Sequence, residues 1–316
     1  MFGGNITNMW KGFDAMTFAA TATLDEIDKN NINRNNKIFI REIGRVFNIK
    51  RNNSTEKNKF TAISNVNLTV RSGEFLSIVG PSGCGKSTLL DLLAGLAKPT
   101  SGEILIDGKA ITGPALDRGI VLQGYALFPW RTIRKNIEFG LEIKGVKKAD
   151  RAEISDKFLK LVGLEGFADR FPYELSGGMK QRVAIARALA YDPEVLLMDE
   201  PFAAVDAQTR ETMQDELLRI WEETDKTVVF VTHSIEEAVL LSDRVAVMSA
   251  NPGTIKEIID INLPRPRRSG DVRNSVGFTW ITNKIWALLQ NDTEESAKVE
   301  TNYINIAEEI SPTADI

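Results

Sequence analysis

Apolar residues recur along this chain with two different periods. From Ile63 to Val70, the residues Val66, Leu68 and Val70 alternate with polar positions and predict a half-buried strand. Ile38-Phe39-Ile40 and Val46-Phe47 predict a strand before it, and the polar stretch Arg51 to Lys59 a turn between them, so the opening reads as antiparallel β. Beyond it the apolar positions run together. Phe75 to Val79, Gly119 to Leu122, Val195 to Met198 and Thr227 to Val231 are short uninterrupted runs of the kind that become strands buried on both faces. Glu103 to Ile106 predicts a strand that closes on the hairpin signal Asp107-Gly108. Arg244 to Met248 and Thr254 to Ile261 read as late strands.

Between these runs the period lengthens. Leu89 to Ala94 predicts a helix, as do Ile154, Phe158, Leu161 and Val162, and again Met213, Leu217, Ile220 and Trp221. A further helix starts near Ser176 and stops at Asp192-Pro193, and another carries Trp280, Ile281, Ile285, Leu288 and Leu289. Strands alternating with helices predict an α/β fold with a mostly parallel sheet covered on both faces. Leu263-Pro264-Arg265-Pro266-Arg267-Arg268 marks a boundary, because proline continues neither a strand nor a helix, and is expected to be a solvated turn. Residues 1–37 read as a polar, disordered extension rich in asparagine, 38–268 as the main domain with a helical part at about 124–190, and 269–316 as a helix and flexible tail. Ala20-Thr21-Ala22 resembles a signal-peptidase site, but Asp14 spoils its flank.

Composition changes this picture little. The 316 residues carry a net charge of −4, which disfavours a nucleic-acid partner, and the single cysteine excludes an internal disulfide. No apolar run approaches the roughly 18–20 residues that a membrane span needs.

The candidate chemistry sits where strands end. Gly80-Pro81-Ser82-Gly83-Cys84-Gly85-Lys86-Ser87-Thr88 fits the phosphate-binding pattern G-x-x-x-x-G-K-[ST] and lies between a predicted strand and a predicted helix. Glycines let backbone N–H groups approach phosphate oxygens, Lys86 is placed to reach the β- and γ-phosphates, and Ser87 to offer a hydroxyl to Mg²⁺. Cys84 reads as a small residue that fits the loop, with a redox-sensitive thiol as the other reading. Asp199 and Glu200 close an apolar run, one suited to Mg²⁺ and the other to polarising an attacking water. His233, the only histidine, follows the next strand and suits a γ-phosphate contact. Gln123 ends a strand in the same way and could sense metal or water. Phe47 or Phe60 could stack on an adenine ring, with Phe47 the preferred one. Ser176 can cap a second helix whose glycines, Gly177 and Gly178, leave N–H groups bare for an anion. One site does not need two such helix ends, but a second copy of the chain could present one of them across an interface.

In this order, the phosphate loop, Gln123, Leu175-Ser176-Gly177-Gly178-Met179-Lys180-Gln181, Asp199-Glu200, Asp206 and His233 resemble the ATP-binding subunit of an ATP-binding-cassette (ABC) transporter. The resemblance covers about residues 38–268. It implies a P-loop NTPase core with an antiparallel β subdomain and an α-helical subdomain. It further implies a head-to-tail pair of subunits clamping two Mg-ATP, with Glu200 as general base, Asp199 and Gln123 serving Mg²⁺, His233 on the γ-phosphate and Asp206 linking the two sites. The implied partners are a second ATP-binding subunit, transmembrane permease subunits docked on the region between Gln123 and Ser176, and, indirectly, a periplasmic or extracellular solute-binding protein. The place of work would be the cytoplasmic face of the membrane.

Gly113-Pro114, Asp117-Arg118-Gly119, Leu127-Phe128-Pro129-Trp130, Met198 to Phe202 and Leu263 to Arg267 resemble importers of nitrate, sulfonate, taurine or bicarbonate. Ala203-Ala204-Val205-Asp206 departs from the family's Gly-Ala-Leu-Asp, Ser234 stands where Asp is usual, and Gly124 follows Gln123 where a polar residue is usual. A soluble ABC ATPase of DNA repair or translation is the alternative function, but the interval from Gln123 to Ser176 is too short for the long coiled coils of the repair proteins and only one cassette is present. A switch GTPase would need an Asn-Lys-x-Asp motif, which the sequence lacks.

Overall fold

The computed structural model describes residues 36–50, 57–203, 205–224, 226–267 and 270–290. The expectations for the extension before Asn36, for the turn after Lys50 and for the tail from Asn291 lie outside those residues. The chain opens with two long antiparallel strands, β1 (Asn36–Lys50) and β2 (Lys57–Arg71), paired from Asn36–Arg71 to Lys50–Lys57 with register shifts between Ile40 and Val46. They join β4 (Ser101–Ile106) and β5 (Lys109–Ala110) in a four-stranded sheet of order β2-β1-β4-β5, with the hairpin at Asp107-Gly108 as the sequence predicts.

The second sheet has six strands: β3 (Phe75–Val79), β6 (Arg118–Val121), β7 (Val195–Asp199), β8 (Thr227–Val231), β9 (Arg244–Ser249) and β10 (Thr254–Asp260). Its order is β10-β9-β3-β8-β7-β6, and only β10 runs antiparallel to its neighbour. Every side chain of β3 and β8 is buried, which is why these strands read as continuous apolar runs.

Three apolar clusters place the elements. Ile38, Ile40, Val66 and Leu68 of the antiparallel sheet meet Leu76 and Ile78 of the parallel one, with helix α1 (Lys86–Ala94) between them through Leu89, Leu92 and Leu93. On the other face, α2 (Ile133–Ile143), α3 (Lys148–Leu161), α4 (Gly177–Ala190) and α5 (Ala207–Thr224) share a cluster with Phe75, Met198 and Phe230. The helical part is anchored to the sheet by Tyr191, whose ring lies against Gly140 and whose hydroxyl donates to the Arg118 carbonyl at 3.0 Å. Burial pushes the Tyr191 pKa up to about 12. The third cluster joins α6 (Ile235–Leu241) and β9 to helix α8 (276–290), which follows the short α7 (Gly270–Arg273). Among the described residues no helix is long and apolar enough to cross a membrane.

Three local expectations change. Helix α3 sinks Ser155 and Leu159 deepest, with Ile154, Phe158 and Leu161 half-buried beside them. Packing between α2 and α4 widens its buried stripe, and Ser155 is tolerated there because it donates to the Ala152 carbonyl and accepts from Arg134. In α8, Phe278, Ile281 and Ile285 are buried, but Trp280 is 63% exposed. The Pro/Arg run is no solvated turn at Arg267, which is 2% exposed. Its guanidinium donates to the carbonyls of Val239, Ser242, Ile261 and Leu263, while Arg265 bonds Asp243 and the Leu241 carbonyl and stacks 4.4 Å from the Trp221 ring. Short helix α6 leaves its last carbonyls without intrahelical donors, and these arginines supply them. Burial, together with the nearby Arg265 charge, lowers the Arg267 pKa to about 10, still charged at neutral pH.

Candidate nucleotide site

The glycine-rich loop follows β3 directly and turns into α1 at Gly85, whose φ of +96° is left-handed. A Cβ there would also stand 3.0 Å from the Ala62 carbonyl, so both backbone and space call for glycine. Gly85 offers no side-chain cap, and the first N–H groups of α1 face the loop. Lys86 curls over it, its ammonium donating to the carbonyls of Gly80 at 2.8 Å and Pro81 at 2.9 Å. Cys84 is buried under the loop with Lys86 Nζ 3.8 Å from its sulfur. Burial pushes the thiol pKa up despite that neighbour, which favours the small-residue reading over a reactive thiolate.

The ends of the central parallel strands supply the rest. Ser87 Oγ donates to Asp199 Oδ1 at 3.2 Å. Burial raises the Asp199 carboxyl above its ordinary value, the Ser87 hydrogen bond opposes this, and the charges of Glu200 and Asp91 add to it. Glu200 follows β7 with a left-handed φ of 43° and is tied by its N–H to the Val231 carbonyl at 2.9 Å. Strained backbone of this kind costs of order 1–3 kcal/mol and persists where the surroundings fix it. Glu200 Oε2 meets His233 Nδ1 at 3.2 Å and lies 3.5 Å from Gln123 Nε2. Thus Gln123, two residues beyond β6, converges on the same carboxylate from the opposite side.

A cleft of about 380 Å³ opens over this group. Ser82, Gly83, Gly85, Lys86, Ser87 and Thr88 form its floor, Glu200 and His233 one wall, and Phe47 and Phe60 the other. The two phenylalanines are cross-strand partners, 38% and 44% exposed, and Arg45 lies 4.7 Å from the Phe47 ring. The two candidates for an adenine platform, Phe47 and Phe60, thus stand side by side on the same wall.

Ser176, Gly177, Gly178 and Asp206 do not line this cleft. Ser176 accepts from the Met179 N–H at 3.3 Å and caps α4 as the sequence predicts. Gly178 packs so closely on α5 that a Cβ would stand 2.7 Å from Thr209 Cγ2. Asp206 caps α5 by accepting from the Thr209 N–H at 3.0 Å, which lowers its carboxyl pKa. Two features have no counterpart in the sequence analysis. Gly253, in the β9–β10 turn, hydrogen-bonds Ala62 and Ser64 and so braces β2 beside the loop; a Pro-Gly pair signals a turn but not what the turn supports. A mostly apolar groove of about 410 Å³ also runs between the sheet and the helical part, with Leu96, Pro114 and Ala115 on one side and Phe128, Phe139 and Ile143 on the other. Its two walls are far apart in sequence, so no single run of residues reveals it.

A family model described as ABC transporter matches residues 63–203. An uncharacterised ABC transporter ATP-binding protein of Methanocaldococcus jannaschii is 58% identical over 241 residues, spanning 76% of this chain and 89% of that protein. The nitrate import ATP-binding protein NrtD of Synechocystis is 46% identical over 266 residues, spanning 82% of this chain and 98% of that protein. Among solved structures, the dimeric, post-hydrolysis ATP-binding cassette MJ0796 bound to ADP and Pi is similar with a TM-score of 0.62 and 34% identity, covering 72% of this chain and 100% of that one.

Proposed function

Because this chain belongs to the ABC transporter ATP-binding family and is an ATPase, we propose that two copies of it close around two Mg-ATP and power the uptake of a small anion through a membrane permease. The observation that carries this reading is the convergence of Gln123 and His233 on Glu200, and of Asp199 on Ser87, with Glu200, His233 and Ser87 lining the cleft above Lys86.

The residues fit the cofactor. The loop's bare N–H groups and Lys86 suit a triphosphate, and the aromatic wall suits a base. Among the described residues no cluster of three or more His, Cys, Asp or Glu side chains is arranged to hold a metal on its own. A magnesium ion bound here would therefore take ligands from the phosphates as well as from Ser87, Asp199 and Gln123, the usual manner for this ion. When bound, it neutralises charge developing on the phosphates. Glu200 holds the proton taken from an attacking water, and Gln123 and His233 fix the carboxylate that does so. The Ser176–Gly178 helix end, which the cleft of its own chain does not use, would complete the site of the second copy.

The apolar groove between Leu96 and Phe139, one wall of which belongs to the expected docking region between Gln123 and Ser176, suits a helix of the permease. The anion class rests on the likeness to the nitrate importer subunit, and a solute-binding protein would act on the permease from the other side of the membrane.

The test is Glu200→Gln in the full chain. Mg-ATP binding is expected to persist and turnover to fall by about 10²–10⁴, the usual worth of a positioned acid–base group. Uptake of nitrate, taurine or bicarbonate into vesicles carrying the chain with its permease should stop with it. Near-unchanged turnover, or uptake of none of these anions by the unaltered complex, would overturn the corresponding part of the reading.

A further inference from the structure

Next to the nucleotide cleft lies a second cavity, of about 510 Å³, that the chemistry above does not use. It is bounded by the outer side of the phosphate loop at Gly80, Pro81 and Ser82, by His233 to Glu236 at the start of α6, and by α8 through Trp286 and Leu289. Ser82 and His233 line both spaces. Helix α8 lies outside the stretch that the family model matches. It packs on the core all the same: Phe278, Ile281 and Ile285 share a cluster with Val79, the last residue of the strand that carries the phosphate loop.

Two indoles are exposed on α8, and they differ. Trp280 has a neighbour, with Lys284 Nζ 5.9 Å from its ring and Lys284 itself paired with Glu257. Trp286, 55% exposed, faces the cavity beside the nucleotide cleft. We propose that Trp286 and Leu289 are part of the surface on which the second copy of this chain seats when it closes over ATP. The inference rests on the sandwich reading of the site, and adds to it a contact outside the nucleotide.

Continuity commits the cavity to that occupant. The two spaces share Ser82 and His233, so a partner that covers the nucleotide cleft also comes up against the second cavity. The similar cassette bound to ADP and Pi is a dimer. A free anion is a poor fit, because Glu236 places a carboxylate on the wall and His233 is the only basic residue there. In a two-fold pair every contact occurs twice, so each closure buries two such indoles. An exposed tryptophan beside a cavity is of a residue type enriched among interface hot spots.

The experiment measures pairing of the full-length Glu200→Gln chain in saturating Mg-ATP by sedimentation velocity, alone and combined with changes on α8. Trp286→Asp is expected to weaken pairing by at least about tenfold while nucleotide affinity of the single chain is kept. Trp280→Asp, on the same helix but away from the cavity, should change pairing by less than about threefold. Trp286→Phe should keep most of the pairing, and comparison of its emission with the parent's should assign a Mg-ATP-dependent blue shift to Trp286. If Glu200→Gln pairs and the Trp286→Asp combination pairs equally well, or if the emission of Trp286 does not change, the role of α8 is wrong while the sandwich stands. If Glu200→Gln itself stays single, the sandwich reading fails and this inference with it.

Discussion

Two helix N-termini in this molecule carry glycines, and they are built in opposite ways. At α1 the cap is Gly85, with no side chain to satisfy the first N–H groups; Lys86, Glu200 and His233 line the same cleft, and Asp199 accepts from Ser87. At α4 the cap is Ser176, whose own hydroxyl takes the Met179 N–H. The first end leaves its N–H groups free of any side-chain cap, as a polyphosphate site needs; the second is capped by its own chain. The difference suits the proposed pairing, in which the cradle of one copy meets the self-sufficient lid edge of the other.

The contrast can be broken experimentally. Lys86→Ala strikes the cradle and should weaken Mg-ATP binding to the single chain by roughly 100-fold, the upper range for a charge-assisted hydrogen bond; calorimetry that finds unaltered affinity would contradict the placement of Lys86. Ser176→Ala strikes the lid edge. It should leave single-chain affinity intact and lower steady-state turnover by roughly tenfold, with about 1 kcal/mol lost from the α4 cap. A parallel loss of single-chain affinity would erase the distinction between the two ends. Phe47→Ala should raise the KM for ATP by roughly five- to tenfold, the lower end of about 1–3 kcal/mol per stacked base. Phe60→Ala gives the companion value, and the larger of the two identifies the main platform.

The smallest effect concerns stability. Asp199 has a folded-state pKa raised by burial, so its ionised form costs stability at neutral pH. The contribution of this carboxyl is fully present below its unfolded pKa and is lost as pH rises through the folded value. Asp199→Asn should therefore raise the thermal midpoint at pH 7 by a few degrees at most, roughly the shift expected from about 1 kcal/mol. The gain should shrink as pH falls toward 4, measured by calorimetry across that range. A gain that grows on acidification would contradict the burial argument.

Much of this was readable before any coordinates. Glycine, lysine and hydroxyl spacing between a strand and a helix has few uses, and runs such as Phe75 to Val79 are apolar because the parallel sheet buries both faces. What stayed hidden depends on distant pairs. Phe47 and Phe60 became one wall only through the β1–β2 register. Gln123 and His233 converge on Glu200 because β6 and β8 flank β7. Ser155 was invisible to an apolar pattern because its burial is balanced by hydrogen bonds rather than by hydrophobicity.

The arginines at 265 and 267 change how the C-terminal part of the chain should be handled. By composition, that stretch looks like a spacer at which a shorter version could be cut. In the fold it works as a fastener: two cations reach back into α6 and the start of the loop after β10, and the residues beyond them lie against the strand that delivers the phosphate loop. A chain trimmed at Leu263 would lose the rivets and the plate behind its own catalytic loop together.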